Sequence, residues 1–126
     1  MVGIVIVSHS KKLAEGVVDL VRMMAKKVPI EPAGGLEDGT YGTSFDLINK
    51  AVEDVYSEDG VLVLVDIGSA VMTTEMVIEM NSDKKIVLSN ANLVEGAVAS
   101  SVYSEIGMSL EEIADKLKEE KNIDKF

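Results

Sequence analysis

The feature that most constrains the fold is a regular alternation between short apolar runs and longer segments with helical periodicity. The runs at 2–7 and 60–66 contain almost only aliphatic residues, many of them β-branched, which is typical of strands covered on both faces. In the intervening segments, apolar residues recur every three or four positions, as on one face of an amphipathic helix. This alternation predicts an α/β fold, in which a parallel sheet carries helices on both faces.

The prolines of the second predicted strand indicate the order of the strands in the sheet. That strand contains Pro29 and Pro32, and each proline removes a backbone hydrogen-bond donor, so this strand is expected at an edge. With right-handed crossovers, the simplest doubly wound order of the four strands is 2-1-3-4. The four predicted strands cover residues 2–7, 28–33, 60–66 and 86–88. We expect one domain that spans residues 1–126.

Capping residues predict where the helices begin. Ser10 is the expected N-cap of the first helix, and Thr43 or Ser44 of the second. Ser109 and Glu112 form a capping box before the last helix, which is predicted to end near residue 120. Two further helices are predicted over residues 70–80 and 93–105. The buried face of the first helix is predicted to comprise Leu13, Val17, Leu20, Val21 and Met24.

Methionines recur every four residues along the third helix, at Met72, Met76 and Met80. A stripe of this kind usually belongs to the core, and that is the first expectation here. The alternative is a subunit interface, and so much of this helix is apolar that a homodimer contact on it is a reasonable expectation.

Composition excludes several classes of function. The 12 Lys and Arg and 22 Asp and Glu residues give a net charge of -10, and no basic patch is visible that could bind nucleic acid or a membrane surface. The chain has no cysteine and a single histidine, His9, which excludes thiol chemistry and multi-histidine metal sites. Because of this composition, we expect no bound metal. No signal segment or run of roughly 20 apolar residues is present, so we expect a cytoplasmic protein.

The predicted sheet brings His9 and Asp66 together. Ligands of open α/β sheets bind beyond the carboxyl ends of the strands where the strand order reverses, which here is between strands one and three. His9 follows strand one and Asp66 ends strand three, and adjacent strands lie about 4.8 Å apart. A carboxylate that accepts one imidazole N–H leaves the other nitrogen as a free lone pair, as a nucleophilic histidine requires. The alternative is a loop histidine with satisfied hydrogen bonds and an aspartate that caps the next helix.

Other loops converge on the same edge of the sheet. They follow strands two, three and four, and they contribute Gly34, Gly35, Gly68, Ser69, Ala70, Asn90 and Asn92. Glycines there permit close approach of a ligand or partner, although ordinary turn chemistry explains them equally well. Neither a GxGxxG motif nor a Gly-Lys-Ser/Thr phosphate loop is present, so any nucleotide is expected on another protein.

Three segments in series resemble a known family. They are Val-Ile-Val-Ser-His-Ser at 5–10, Val-Asp-Ile-Gly-Ser-Ala at 65–70 and Leu-Val-Glu-Gly-Ala at 93–97, and the pair Gly42-Thr43 also fits. Together they resemble the phosphotransfer subunits (DhaM) of the phosphoenolpyruvate-dependent dihydroxyacetone kinases. That family is similar to the mannose-type enzyme IIA of the bacterial phosphotransferase system, a homodimeric four-stranded parallel α/β domain.

The resemblance implies a phosphohistidine carrier. His9 would accept a phosphoryl group from phospho-HPr, and Asp66 would orient it. The phosphoryl group would then pass to ADP on a partner kinase subunit of the DhaL type, which regenerates the ATP that phosphorylates dihydroxyacetone. Ser8, Ser10, Gly34, Gly35, Thr43, Gly68, Ser69, Ala70, Asn90 and Asn92 are the candidates for the phosphoryl site or the docking loops. No cofactor is expected on this chain, because ADP and ATP would bind the partner.

Two alternatives stay open. The first is the enzyme IIA component of a mannose-type sugar transporter, but the turn at 66–70 lacks the Trp-Gly-Gly-Ser-Pro-Phe segment expected there. The second is a non-catalytic flavodoxin-like or receiver-like module. Receivers need an acidic cluster after strand one, where this chain has Ser8, His9 and Ser10. Some relatives continue into HPr-like and enzyme-I-like domains, so a chain of 126 residues is expected to use free-standing HPr and enzyme I.

Overall fold

The computed structural model describes residues 1–121 and 124–125, and it contains a four-stranded parallel sheet with the order β2-β1-β3-β4. Within these described residues, five helices cover the two faces of the sheet. The strands are β1 (Gly3–Ser8), β2 (Ile30–Gly34), β3 (Val61–Val65) and β4 (Ile86–Ser89). The helices are α1 (Lys11–Met24), α2 (Phe45–Val55), α3 (Ser69–Met80), α4 (Leu93–Glu105) and α5 (Leu110–Glu120). The predicted fold class and strand order are confirmed.

Alternate residues of the central strands face two separate cores. Ile4 and Ile6 of β1 pack with Leu62 and Leu64 of β3 in the core beneath α1, α4 and α5. Val5, Val7, Val61 and Val63 pack in the other core, beneath α2 and α3. Because successive side chains of a strand point to opposite faces, a continuous apolar run is what a strand with helices on both sides requires.

The helices begin where their capping residues predict. Ser10 caps α1 by accepting a hydrogen bond from the Leu13 amide at 3.2 Å. Ser44, and not Thr43, caps α2 through the Leu47 amide. Ser109 and Glu112 complete the capping box of α5. Among the described residues, none of the helices is both long and apolar enough to cross a bilayer.

The expectation that the methionine stripe of α3 belongs to the core is wrong. Met72, Met76 and Met80 are 72%, 56% and 75% exposed. The helix packs on the sheet through Ala70, Thr74 and Val77, which are fully buried. Residues two positions apart on a helix point in nearly opposite directions, so burial of Ala70 and Thr74 turns the methionines outward.

The predicted face of α1 is only partly right. Val17 and Val21 are buried as expected, together with Ala14, but Leu13 and Met24 are 44% and 59% exposed. The small side chain of Ala14 lets the first turn of α1 approach β2 closely, next to Gly34. This close contact turns the larger Leu13 side chain towards solvent.

Candidate active site

Strand register brings His9 and Asp66 together at the carboxyl edge of the sheet. β1 and β3 are neighbours, and Val7 pairs with Val65. The residues that follow, Ser8 and His9 on one side and Asp66 on the other, therefore leave the sheet side by side. This is the position where the strand order reverses, because β1 also pairs with β2 on its other side.

The Asp66 carboxylate accepts four hydrogen bonds. Oδ2 accepts from the His9 backbone amide and from Ser8 Oγ, both at 2.9 Å. Oδ1 accepts from the Ile67 amide at 2.7 Å and lies 3.0 Å from His9 Nδ1. Ser8 Oγ in turn accepts from the Ser10 amide at 3.0 Å. The carboxylate thus holds both the backbone and the side chain of His9.

These bonds determine the ionisation of Asp66. Burial of the carboxyl group acts to raise its pKa, but the hydrogen bonds from His9, Ile67 and Ser8 outweigh that effect and bring the pKa of Asp66 below its ordinary value. The side chain is only 13% exposed. Asp66 is therefore an ionised acceptor in the neutral pH range.

Since an ionised carboxylate can only accept, His9 Nδ1 must carry the proton that is shared with Asp66. In neutral histidine, Nε2 then holds the lone pair. Ser69 Oγ lies 2.5 Å from Nε2, so its hydroxyl donates to that nitrogen. The Nδ1 contact is partly buried, whereas the Nε2 contact is exposed to solvent. Nε2 therefore faces solvent.

The β2–α2 loop supports the segment that carries His9. The Gly35 amide donates to the Ser8 carbonyl and the Gly42 amide to the His9 carbonyl, each at 3.0 Å. Gly34 packs so closely that a Cβ atom would lie 2.6 Å from the carbonyl oxygen of Ser10. Gly34 and Gly35 are buried, so their role in the structure is to pack against the segment that carries His9.

The structure places the remaining predicted site residues in three different surroundings. A cavity of about 290 Å³ opens beside Asp66, and its walls include Gly68, Asn90, Asn92 and Lys121. Ala70 is fully buried in the first turn of α3. Thr43 Oγ1 lies 2.8 Å from Thr73 Oγ1. Within the described ranges, no group of three or more His, Asp or Glu residues could hold a metal ion.

Sequence reasoning missed three contributors to the site, namely the Ile67 amide, the Gly42 amide and Thr73. The Ile67 amide carries no residue-type signal, because any amino acid except proline supplies it. Gly42 lies in a recognisable glycine-rich loop, and its φ of 148° favours glycine. Thr73 lies four residues after Ser69, on the same face of α3, and that spacing could have identified it.

Comparison with known proteins identifies the family of the chain. The family model EIIA-man, described as PTS system fructose IIA component, matches residues 3–117. The phosphoryl donor subunit DhaM of PEP-dependent dihydroxyacetone kinase 1 from Listeria innocua is 46% identical over 92% of this chain and 92% of that protein. The phosphotransferase subunit DhaM of the PTS-dependent dihydroxyacetone kinase from Lactococcus lactis is 42% identical, over 92% of this chain and 93% of that protein.

A solved structure supports the fold independently. The crystal structure of EF1359, a protein of unknown function, superposes with a TM-score of 0.84 at 25% identity and covers 100% of this chain and 99% of that chain. Sequence and structure thus agree over nearly the whole length. The chain belongs to the mannose-type enzyme IIA family and, within it, to the DhaM phosphoryl donor subunits of PEP-dependent dihydroxyacetone kinases.

Proposed function

We propose that His9 accepts a phosphoryl group on Nε2 from the phosphohistidine of HPr and passes it to ADP bound on a partner kinase subunit. The observation that carries this proposal is the pairing of His9 Nδ1 with the Asp66 carboxylate at 3.0 Å. That pairing leaves Nε2 as the nitrogen with a lone pair, and its contact is exposed to solvent.

In the first transfer, the Nε2 lone pair attacks the phosphorus atom in line with the leaving nitrogen of phospho-HPr. The new N–P bond forms as the old one breaks, and the electron pair of the broken bond returns to the donor imidazole. His9 keeps its proton on Nδ1 and becomes a positively charged phosphoimidazole ring. The ionised Asp66 stabilises that charge, because it lies against the protonated nitrogen.

Ser69 has a separate role in the proposal. Its hydroxyl contacts Nε2 before transfer, and it becomes free to donate to a phosphoryl oxygen once the N–P bond exists. Ser69 is also the first residue of α3, where orphan backbone amides and the helix dipole favour negative charge. The chain carries a net charge of -10, so this stabilisation of the phosphoryl group must be local.

In the second transfer, a terminal phosphate oxygen of ADP attacks the phosphorus atom and the electron pair of the N–P bond returns to Nε2. The chain has no nucleotide-binding fingerprint of its own, which supports a nucleotide held by the partner, a subunit of the DhaL type. Both relatives described above are subunits of dihydroxyacetone kinases, which supports the same acceptor. Cytoplasmic location belongs to this proposal.

We also propose that the protein is a homodimer that uses the exposed methionine face of α3. Met72, Met76 and Met80 form a continuous apolar stripe, and exposed stripes of this kind mark interaction surfaces. Replacement of Met76 by Glu is expected to convert a dimer into a monomer in sedimentation equilibrium, whereas Met23→Glu on α1 is the matched control. A monomeric wild-type protein would contradict the proposal.

The phosphoryl transfer is tested with radiolabelled phosphoenolpyruvate, enzyme I and HPr. We expect an acid-labile, alkali-stable label on the wild-type protein and no label on His9→Ala, because His9 is the sole histidine of the chain. Nuclear magnetic resonance of the labelled protein should assign the phosphoryl group to Nε2. A label that persists in His9→Ala would overturn the assignment.

The acceptor is tested by chasing the labelled protein with possible partners. We expect rapid loss of label to ADP in the presence of the kinase subunit, with formation of ATP. A sugar-transport enzyme IIA would pass its label to a IIB protein and not to ADP. Transfer to IIB alone would therefore favour that alternative over the dihydroxyacetone kinase subunit.

A further inference from the structure

Two threonine hydroxyls connect the elements that contact His9 from opposite sides. Thr43 Oγ1 lies 2.8 Å from Thr73 Oγ1, and the contact is partly buried. Thr43 directly follows Gly42, whose amide holds the His9 carbonyl at 3.0 Å. Thr73 lies one helical turn after Ser69, whose hydroxyl contacts His9 Nε2. These contacts form a closed ring that begins and ends at His9.

Neither threonine is needed to cap a helix. Ser44 caps α2 with its own side chain, and α3 begins without any side-chain cap. Both threonines belong to segments that lie on the same face of the sheet, the face covered by α2 and α3. A valine would fill either position with the same shape, so what the two hydroxyls add is a directional link between the two segments.

We propose that Thr43 and Thr73 are positioning residues, and that their hydrogen bond fixes α3 so that Ser69 Oγ stays at His9 Nε2. One side of the ring holds the His9 backbone through Gly42, and the other holds the reactive nitrogen through Ser69. If the link between them is lost, the first turn of α3 is free to shift relative to the histidine. This proposal rests on the proposed function, because it concerns the same transfer.

Loss of the hydrogen bond between Thr43 and Thr73 is expected to slow phosphoryl transfer without weakening the binding of the donor. Misplacement of a reacting group by a fraction of an ångström slows a positioned reaction, since orientation contributes much of the rate. For Thr73→Val, we expect the single-turnover rate constant for labelling by phospho-HPr to fall about fivefold. The phospho-HPr concentration that gives half the maximal rate should change less than about twofold, because the substitution alters no exposed contact.

The test is a set of matched variants in single-turnover labelling. Thr43→Val and the double valine variant should slow transfer as much as Thr73→Val, because each removes the same hydrogen bond. Thr73→Ser should restore the wild-type rate, since it keeps the hydroxyl. In a Ser69→Ala background, Thr73→Val should have no further effect, because the link acts through Ser69.

Three outcomes would overturn the proposal: a wild-type rate in both valine variants, additive effects of the two valines, or further slowing by Thr73→Val in the Ser69→Ala background. If Thr73→Val does not fold, Thr43→Val tests the same bond from the other side. The imidazole ¹⁵N shifts of His9 provide a second readout, and we expect the Nε2 shift to move in the valine variants while Nδ1 stays unchanged. Failure of the wild-type protein to take up label would instead contradict the proposed function.

Discussion

The first turns of α1 and α3 lie on either side of His9, and they are built in opposite ways. Ser10 caps α1, and the Ser10 amide is itself bound to Ser8 Oγ, which donates to Asp66. Helix α3 begins after Gly68 with no side-chain cap. The segment Ile67 to Ser69 that leads into it is exposed, whereas Ser8 is fully buried.

This difference gives the two nitrogens of the His9 imidazole different surroundings. On the Nδ1 side of the ring, a hydrogen-bond network of Ser8, Ser10 and Asp66 holds the imidazole in one orientation and one tautomer. On the Nε2 side, residues 67–69 are exposed, and in the proposed function this lets a donor and an acceptor approach Nε2 in turn. If both ring nitrogens were enclosed, no partner could reach the imidazole. If both were exposed to solvent, no contact would orient the ring.

The largest effect is expected for Asp66→Asn, which tests the hydrogen bonds on the Nδ1 side of His9. The amide keeps the shape of the carboxylate but no longer favours a proton on Nδ1, and its NH₂ group opposes one of the former donors. We expect phosphoryl transfer to fall about 100-fold and the free energy of unfolding to fall by about 2 kcal/mol. Rapid-quench labelling and urea unfolding measure the two effects. Transfer at the wild-type rate would show that the carboxylate does not orient His9.

A pair of glycine substitutions tests the packing around the first turns of α1 and α3. At Gly34 a Cβ atom would lie 2.6 Å from the Ser10 carbonyl oxygen and 2.7 Å from Lys11 Cα, so Gly34→Ala should destabilise the fold by about 2 kcal/mol. At Gly68 a Cβ atom meets no described atom within 4 Å, and Gly68→Ala should stabilise by about 0.5 kcal/mol. Urea unfolding of both variants checks the contrast, and equal effects would contradict it.

A pair of serine substitutions separates stability from chemistry. Ser69→Ala should slow transfer about tenfold, because it removes the hydroxyl at Nε2, and it should change stability by less than about 0.5 kcal/mol, since the residue is exposed. Ser10→Ala should instead reduce stability by about 1 kcal/mol through loss of the N-cap. Labelling rates measure the effect of each variant on transfer, and urea unfolding curves measure its effect on stability. A larger loss of stability in Ser69→Ala than in Ser10→Ala would reverse the comparison.

The smallest expected effect is on the free energy of unfolding at acid pH. The pKa of Asp66 in the folded protein lies below its ordinary value of 3.8, so the unfolded chain binds more protons between the two values. The contribution of Asp66 is therefore complete above the ordinary value and is lost as pH falls through the lowered pKa. In urea unfolding from pH 6 to pH 2, the difference between wild type and Asp66→Asn should shrink below about pH 4. A constant difference across that range would rule out this linkage.

Much of the fold follows from local patterns. The proline-bearing strand lies at the edge, and the continuous apolar runs of β1 and β3 lie at the centre, as expected. The pairing of His9 with Asp66 also followed from strand order alone. The exposed methionines did not, because periodicity identifies the faces of a helix but not which one meets the sheet. On α3 the smaller residues Ala70 and Thr74 meet it, since small side chains allow close packing.

The sequence by itself determined the parallel sheet, its order and the approach of one histidine to one carboxylate, because these depend on hydrophobic periodicity and on proline chemistry. Only the tertiary structure decided which imidazole nitrogen of neutral His9 carries the proton and which the lone pair. That outcome depends on backbone amides of His9 and Ile67 that converge on Asp66 and on a serine brought to Nε2 by the first turn of α3. The contacts of His9 with Asp66 and Ser69 join residues 57 and 60 positions apart, and their distances are set by packing that no local pattern encodes.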